Sequence, residues 1–358
     1  MIGIVLIDYP NMMNTATHTH LVSDTPTRKL TYFCLLFLAI LLSSCSQSKE
    51  VFTVPFVAET DPVGTEGDAA DDPWIDTKNQ IIWGTDKRAG FYQYTLDGTV
   101  LDFKAVGAVN NIDGRVTDEF YCVVNSNRTF HTLDYACLNL LLEEEYSGSL
   151  EAGMNVYGVC MGIINNKPVA ILTEEEGVNI QYWDLLNEQI ISTFDITADE
   201  SNVSPAGNEA EGCVFDDEQK RIFISREGSN GILKAYDAET LDFIKAIDSR
   251  QGLINGDPEG IAIYKTNETE GFIIVSSQGD NTFNMYDRQA PFLYQGSFMI
   301  EGVEDTDGID VTHLQIGNYP AGILVVQDGK NLPDNQNFKI VDMDEVLKKK
   351  ALNPGSTK

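Results

Sequence analysis

A short unit recurs six times along this chain and limits its fold more than any other feature. Each unit contains a strand-like run, an aromatic or apolar residue close to an aspartate, a turn and a second strand-like run. The aspartates are separated by 37, 50, 53, 50 and 55 residues, and they are Asp97, Asp134, Asp184, Asp237, Asp287 and Asp342. A repeat of about 50 residues built from short strands is typical of propeller blades with four strands each.

The repeats predict an all-β chain and a six-bladed β-propeller. Long helical periodicity is almost absent before the segment from Met343 to Leu352. Repeated hairpins in a flat sandwich would give a similar pattern, but about 300 residues of sandwich normally divide into several domains. We therefore expect a propeller over residues 58–347. A tether and a first strand, Val51 to Val57, precede it within residues 46–57, and a polar tail follows at 348–358.

The amino terminus has the pattern of an export signal. Two basic residues, Arg28 and Lys29, precede an apolar run from Tyr32 to Leu42. That run is shorter than the roughly 20 apolar residues of a membrane-spanning helix. The following Leu-Ser-Ser-Cys45 resembles the bacterial lipobox, which predicts a signal peptide over residues 1–45 and lipidation of Cys45. An ordinary signal with an incidental cysteine is the alternative, and the first dozen residues are consistent with an overlong gene start.

These features predict an exported protein in the periplasm or on the cell surface. It would be attached to a bacterial membrane only through the lipid anchor. The formal charge is −31, from 24 basic and 55 acidic residues, so nucleic acid is excluded as a partner because its backbone needs a basic face. Solubility alone accounts for an acidic balance in an exported protein.

Many of the acids lie beside glycine or proline at the ends of strand-like runs. Oxygen ligands gathered in tight turns suit a hard divalent cation, and calcium is the first candidate. A propeller brings loops from every blade to one mouth, where carboxylates about 5 Å apart would repel by roughly 3 kcal/mol per pair at an effective dielectric near 20. Several calcium ions would relieve that repulsion. The segments are Asp68-Ala-Ala-Asp-Asp-Pro73, Glu209-Ala-Glu-Gly212, Arg226-Glu-Gly228, Asp257-Pro-Glu-Gly260 and Asp305-Thr-Asp-Gly-Ile-Asp310.

Four cysteines lie beyond the signal segment. They are Cys122, Cys137, Cys160 and Cys213, at spacings of 15, 23 and 53 residues. Without a CxxC pair, zinc is disfavoured. Three of them lie in apolar strand-like runs, so we expect buried free thiols, although a disulfide is possible in an exported chain.

Together, the motifs resemble those of the β-propeller phytases, the calcium-dependent alkaline phytases of bacteria. The resemblance extends from about Ala58 to Val341, with the motifs in the order of that family. They include Ala58-Glu-Thr-Asp-Pro-Val63, Gly67-Asp-Ala-Ala-Asp-Asp-Pro73, Gly84-Thr-Asp-Lys-Arg88, Asn110-Asn-Ile-Asp113, Ser126-Asn-Arg128, Val156-Tyr-Gly158, Asp257-Pro-Glu-Gly260, Ser276-Ser-Gln-Gly279, Asp305-Thr-Asp-Gly-Ile-Asp310, Gln327-Asp-Gly329 and Asn335-Gln-Asn-Phe338.

The resemblance implies a phosphoric monoester hydrolase of the 3-phytase type. Such enzymes act on myo-inositol hexakisphosphate (phytate) as its calcium salt, with calcium-bound water attacking the phosphorus directly, and we expect a monomer. The chain beyond the signal segment has only His131 and His313, neither in an RHGxRxP setting, so a histidine phosphatase is disfavoured.

The resemblance also implies roles for particular residues. The expected active-site calcium ligands are Asp71, Glu211, Glu259 and Asp307, with Glu227 and Tyr157 in the same mouth. The expected phosphate-binding residues are Lys87, Arg88 and Arg128. A second calcium site would use Asp72, Pro73 and the backbone carbonyl of Ile112, and further structural ligands would be Gln278, Asp328 and Asn331.

Three departures from the family pattern keep other functions open. Glu175 stands where the family usually has a phosphate-binding lysine, and Arg226 stands where an acid is frequent. The loop before Asp305 is short, so an expected acidic ligand is missing or replaced by Glu301 or Glu304. The main alternative is a non-catalytic calcium-binding surface propeller that binds a phosphorylated or glycan ligand. A calcium-dependent lactonase on the same fold follows from fold analogy alone.

Overall fold

The computed structural model describes residues 49–200, 207–228, 232–250 and 252–353. The predicted signal segment with Cys45, and residues 354–358 of the predicted tail, lie outside this range. Within it, no helix has both the length and the apolar character needed to cross a membrane.

Strands β1 to β14 supply two short initial strands and the first three blades. The initial strands are β1 (Val51–Val54) and β2 (Ala58–Glu59). Blade 1 contains β3 (Ala70–Asp76), β4 (Ile81–Asp86), β5 (Gly90–Thr95) and β6 (Val100–Lys104). Blade 2 contains β7 (Val109–Val116), β8 (Phe120–Asn127), β9 (Thr132–Asn139) and β10 (Glu144–Glu151). Blade 3 contains β11 (Val156–Ile164), β12 (Lys167–Glu174), β13 (Asn179–Asp184) and β14 (Gln189–Asp195).

The remaining strands form blades 4 to 6, and one helix follows them. Blade 4 contains β15 (Ala210–Asp216), β16 (Arg221–Arg226), β17 (Leu233–Asp237) and β18 (Phe243–Asp248). Blade 5 contains β19 (Pro258–Lys265), β20 (Gly271–Ser277), β21 (Thr282–Asp287) and β22 (Tyr294–Ile300). Blade 6 contains β23 (Ile309–Val311), β24 (Ile323–Asp328) and β25 (Asn337–Asp342), before helix α1 (Met343–Leu352).

The ring is closed by the start of the chain. Strand β2 pairs antiparallel with β25 and completes blade 6 as its fourth strand. Beside this pairing, the amide N of Thr60 donates to the carbonyl O of Phe338 at 2.8 Å, and the Thr60 Oγ1 accepts from the amide N of Phe338 at 3.0 Å. Strand β1 instead pairs parallel with β22, so blade 5 has five strands.

The six-bladed β-propeller predicted from the repeats is confirmed, with local differences. The first strand ends at Val54 rather than Val57, and blade 5 has one strand more than the expected four. Four of the repeated aspartates end the third strand of their blade, but Asp134 lies near the start of β9, which explains the short first interval of 37 residues. Helix α1 matches the expected helical segment and extends into the region predicted as a polar tail.

Apolar side chains from neighbouring blades pack against each other between the sheets. Between blades 3 and 4, for example, Ile171 and Ile180 of one blade share a buried cluster with Phe215 and Ile224 of the next. The outer strands carry the polar surface: β10 alternates between exposed and half-buried positions along most of its length. Burial therefore increases toward the ring centre, and β3 is buried at all seven positions although it contains three aspartates.

The expectation of buried free thiols is wrong, because the four cysteines form two disulfides. Cys122 and Cys137 are directly opposite each other on β8 and β9 within blade 2. Cys160 and Cys213 link β11 to β15, the innermost strands of blades 3 and 4, with their Cα atoms 5.7 Å apart. Linear spacing reveals neither the strand register nor the contact between blades, and those two features decide the pairing.

Candidate functional site

A β-bulge interrupts the innermost strand of each of the first five blades at the same place. The register shifts fall between Ala70 and Pro73, Val109 and Ile112, Val156 and Val159, Ala210 and Cys213, and Pro258 and Ile261. A bulge re-aims a side chain out of the regular alternation of the strand. We call the first extra residue of each bulge, together with the matching residue just before β23, the bulge residues: Asp71, Asn110, Tyr157, Glu211, Glu259 and Asp307.

Buried polar side chains on the second strand of each blade lie opposite the bulges. We call them the capping residues: Thr85, Ser126, Thr173, Ser225, Ser276 and Gln327, none more than 1% exposed. Four hydroxyls accept from the second bulge amide of their own blade at 2.7 to 3.0 Å, from Asp72, Asn111, Gly158 and Gly212. Gln327 does the same for the amide N of Asp307 at 2.8 Å. The capping residues therefore satisfy amide groups that the bulges remove from strand pairing.

Several capping residues also donate to the next blade. Thr85 Oγ1 donates to the carbonyl O of Asn110 at 2.8 Å, and Ser225 Oγ donates to the carbonyl O of Glu259 at 2.9 Å. Ser276 Oγ donates to the carbonyl O of Thr306 at 2.8 Å. Consecutive bulges are thus tied to each other around the centre of the ring.

Glycine occupies the second bulge position in blades 3 to 6 because the next blade approaches too closely for a side chain. A Cβ atom on Gly158 would lie 2.3 Å from the carbonyl O of Glu211, and one on Gly212 would lie 2.7 Å from the carbonyl O of Glu259. On Gly308 it would lie 2.5 Å from the Cα of Asp72. These contacts bring side chains that are far apart in sequence into one ring.

Four bulge residues, Tyr157, Glu211, Glu259 and Asp307, line an open cavity of about 960 Å³ at one end of the ring. The structure brings eight residues predicted for the site to its wall, namely Lys87, Tyr157, Glu211, Glu227, Glu259, Gln278, Asp307 and Asn331. Asp71 lies within 3.3 Å of the Lys87 Nζ, next to this wall. The predicted site residues of blades 1, 3, 4, 5 and 6 therefore converge as expected for a propeller mouth.

Burial dominates the electrostatics of the four acidic bulge residues. It raises the pKa of Asp71 to about 7 and that of Glu211 to about 8, and in both cases a neighbouring carboxylate adds to the shift. The pKa of Glu259 is raised well above its usual value by burial and by repulsion from Glu211, and the pKa of Asp307 is also raised by burial. The acids are thus packed too closely to be ionised together without added positive charge.

Lys87 supplies part of that charge. Its Nζ lies 2.9 Å from Asp68, 3.3 Å from Asp71 and 3.0 Å from Asp307. Burial by itself would lower the pKa of Lys87, but attraction to Asp71 and Asp307 outweighs it and the net shift is upward. One ammonium cannot neutralise all four acidic bulge residues, and Glu211 and Glu259 lie outside its ion pairs.

The donor set fits a hard cation. Every acidic bulge residue offers carboxylate oxygens, the ligand type that calcium prefers. Burial raises the pKa of Glu211 and the nearby Tyr157 phenol partly offsets that rise, while the Glu211 Oε2 is buried and has no hydrogen-bond partner among the described residues. Within the described part of the chain, no three His, Cys, Asp or Glu side chains are already placed as a finished metal site. Calcium would therefore draw these carboxylates closer together.

Two of the three predicted phosphate-binding residues lie beside the cavity rather than in its wall. The Arg88 Nη1 donates to the carbonyl O of Glu66 at 3.4 Å. The Arg128 guanidinium donates to Asn110 Oδ1 at 3.1 Å, forms an ion pair with Glu175 and lies 5.4 Å from the ring centre of Tyr157.

The predicted second calcium site lies along a different cavity, of about 250 Å³, lined by Asp72, Pro73 and Ile112. The Asp72 Oδ2 accepts from the amide N of Ile112 at 3.4 Å. Burial raises the pKa of Asp72 well above its usual value, and the charges of Asp71 and Asp113 add to the effect.

A lysine lies between two of the predicted structural ligands. The Lys339 Nζ is 3.3 Å from Asp328 Oδ2 and 2.9 Å from Asn331 Oδ1, and it also pairs with Glu59. Gln278 Nε2 donates to Asp307 Oδ1 at 2.9 Å, so in this structure it orients a predicted ligand.

The remaining departures from the family pattern are also accommodated by ion pairs. Arg226 is buried and its Nη2 lies 2.6 Å from Glu200 Oε1. Lys330 pairs with Asp305 at 2.9 Å and Glu304 at 3.4 Å, while Glu301 is exposed.

Some site residues were missed in the sequence. Asn110 is the blade 2 bulge residue, and the Val-Asn-Asn-Ile run that contains it parallels Ala-Asp-Asp-Pro in blade 1. Asp68 pairs with Lys87, and Gln336 Oε1 accepts from the amides of Ala69 and Ala70 at 2.7 and 2.9 Å. All three residues lie in segments that carry family motifs, but only the folded ring shows what they contact.

Comparison with known proteins assigns the family. The family described as Phytase matches residues 27–124 and 152–354. This chain belongs to the phytase family. It is 31% identical over 332 residues to the 3-phytase of Bacillus subtilis (strain 168), covering 82% of this chain and 85% of that protein. A solved structure of Kuenenia stuttgartiensis hydrazine synthase overlaps 75% of this phytase-family chain and 82% of its own, at 10% identity and a TM-score of 0.49, and adds nothing to the assignment.

Replacing Ser225 with alanine should destabilise this phytase-family protein. The change leaves the amide N of Gly212 and the carbonyl O of Glu259 without a hydroxyl partner, and a buried unpaired group typically costs about 1 to 3 kcal/mol. Urea unfolding measures the loss. As a control, Ser147→Ala on the exposed face of β10 should change the free energy of unfolding by less than about 0.5 kcal/mol. Equal values for both variants would contradict the capping role.

Calcium affinity should rise steeply between pH 6 and pH 8. With the pKa of Asp71 near 7 and that of Glu211 near 8, each ion must displace protons, and affinity gains about tenfold per pH unit for each proton displaced. Isothermal titration calorimetry in buffers of different ionisation enthalpy counts those protons. An affinity that stays constant across this range would show that the acids are already ionised.

Without calcium, the same acids should make stability fall as the pH rises. The folded protein keeps protons that the unfolded chain releases near pH 4, so the free energy of unfolding decreases from about pH 5 to pH 8. Urea unfolding in the presence of a chelator measures this slope, and added calcium should reverse it.

Proposed function

We propose that this phosphoric monoester hydrolase of the phytase family is a calcium-dependent 3-phytase that releases phosphate from phytate. The observation that supports this most is the cluster of buried and half-buried carboxylates in and beside the wall of a wide polar cavity. Those carboxylates have raised pKa values, and Lys87 is the cation paired with two of them. A highly anionic substrate could not approach such a cluster unless divalent cations lay between them.

The four acidic bulge residues would hold the calcium ions, and the proposed ligands are Asp71, Glu211, Glu259 and Asp307. Bound calcium would supply positive charge that attracts the substrate phosphate and lowers the pKa of the attacking water. The capping residues hold the backbone of neighbouring bulges in place, so only the side chains of the ligands would have to move when a cation binds.

Other side chains would orient the site. The nearby Tyr157 phenol would partly offset the rise that burial causes in the pKa of Glu211, which favours the ionised carboxylate. Burial and the neighbouring Glu211 carboxylate raise the pKa of Tyr157, so the phenol remains a proton donor at neutral and alkaline pH. Glu227 lies in the cavity wall with its pKa raised by partial burial and by Asp257, which suits a role in holding a more exposed cation.

Phosphate groups of the substrate would contact the cations on blades 1 and 2. Lys87 is committed to Asp68, Asp71 and Asp307 in this structure, so calcium at those acids would free its ammonium for phosphate. Arg128 can offer a planar fork to two phosphate oxygens. The second proposed calcium site at Asp72, Pro73 and Ile112 would tie blade 1 to blade 2.

The proposed location is outside the cytoplasm, on a bacterial membrane through lipidated Cys45. The two disulfides support this proposal, because such bonds persist in oxidising compartments and are rare in reducing ones. The lipobox pattern remains its basis in the sequence. A monomer with calcium phytate as its substrate completes the proposal.

Removing divalent metal should abolish phosphate release from phytate. The expected result is loss of activity with a chelator and full recovery on adding calcium, measured as inorganic phosphate released over time. Saturable phytate binding without any phosphate release, at several pH values and calcium concentrations, would instead favour the non-catalytic binding propeller. Activity that persists in the chelator would contradict calcium dependence.

Glu211→Gln should lower kcat by at least about a hundredfold while the protein remains folded. The amide keeps the size of the side chain but cannot supply the ionised oxygens of a calcium ligand. Steady-state phosphate release and circular dichroism measure the two properties. Glu239→Gln removes the same charge from an exposed position on the same blade and should leave activity unchanged. Equal activity in the two variants would refute the assignment of Glu211.

A further inference from the structure

A second set of equivalent positions surrounds the cavity, two residues after each capping residue. We call these the rim residues, and in order from blade 1 to blade 6 they are Lys87, Arg128, Glu175, Glu227, Gln278 and Gly329. Four of them, in blades 1, 4, 5 and 6, line the cavity. Around the rim, two cations are therefore followed by two acids, an amide and a glycine.

Arg128, the second cation of the rim, forms an ion pair with Glu175, the first acid. Arg128 donates from Nη2 to Glu175 Oε1 and from Nη1 to Asn110 Oδ1, the latter at 3.1 Å. Its guanidinium lies 5.4 Å from the ring centre of Tyr157, which is part of the cavity wall. Arg128 therefore contacts the cavity wall through Tyr157, while Glu175 accepts from one of its guanidinium nitrogens.

This ion pair opposes the binding of a phosphate group on that side of the cavity. An incoming phosphate must compete with the Glu175 carboxylate for the Arg128 guanidinium, and it meets that negative charge at close range. Both side chains are a little over one quarter exposed, so solvent weakens the pair but does not remove it.

We propose that Glu175 is a specificity-determining residue that occupies Arg128 and so weakens the binding of densely phosphorylated substrates between blades 2 and 3. This inference rests on the proposed phytase function and concerns substrate affinity at that same site. The phosphate under attack would lie at the acidic bulge residues. Glu175 acts on a neighbouring phosphate of the same molecule, so it should affect KM more than kcat.

The test compares Glu175→Gln with Glu176→Gln. Each variant loses one negative charge without changing side-chain size, and within the described residues only Glu175 is joined to Arg128 by an ion pair. With calcium held constant, Glu175→Gln should lower KM for phytate about fivefold to tenfold and change kcat less than twofold. Glu176→Gln should change KM less than twofold. Equal KM values for the two variants would overturn the proposal, and so would a higher KM for Glu175→Gln.

A second pair of variants separates the specific contact from general charge repulsion. In an Arg128→Gln background, Glu175→Gln should no longer lower KM, because the group that it releases is absent. A decrease of the same size in both backgrounds would show that Glu175 acts only through the overall field, which would contradict the proposal.

Calorimetric titration with phytate of the same calcium-loaded proteins, each also carrying Glu211→Gln to suppress phosphate release, gives a readout that is independent of turnover. The dissociation constant should follow the pattern expected for KM across all the variants. If the wild-type protein binds phytate without releasing phosphate, the proposed function fails, but the affinities still decide the role of Glu175. If the wild-type protein releases phosphate and the affinities do not differ, only the role of Glu175 fails.

Discussion

Burial of several carboxylates at one point is the constraint on which the rest of this structure depends. Desolvation favours protonation of every acidic bulge residue, so the fold must hold these side chains together against their own repulsion. Lys87 supplies countercharge to Asp71 and Asp307, but Glu211 and Glu259 lie outside its ion pairs and are held mainly by the backbone. The capping residues fix the bulges, and glycine at four second bulge positions lets neighbouring blades approach closely.

The same arrangement links stability to function. A side chain such as Ser225 bonds to the bulge of its own blade and to the next bulge, so the distance between Glu211 and Glu259 depends on it. The Cys160–Cys213 disulfide constrains the same region from the other side, because it joins the strands that carry Tyr157 and Glu211. Site geometry is therefore a property of the packed ring and not of any one loop.

Sequence periodicity was enough to predict the fold, because each blade repeats an aspartate in or beside its third strand. Motif order was enough to predict most of the residues that line the large cavity, since Glu211 and Asp307 lie in segments typical of the family. The pairing of the cysteines could not be predicted, because it depends on strand register and on which blades touch. The Arg128–Glu175 ion pair was equally hidden, because 47 residues separate two side chains that only the adjacent blades bring together.

Ring closure by the first strands has a consequence for how the chain reaches its native state. Strand β2 at Ala58–Glu59 completes the sheet that ends with β25, across a sequence separation of about 280 residues. Contacts of such long range are slow to form, since the entropy of a large loop is lost before the pairing compensates for it. Blade 6 cannot form completely until both β2 and β25 are present. A nascent chain released early therefore has an open sheet edge that favours association with other chains.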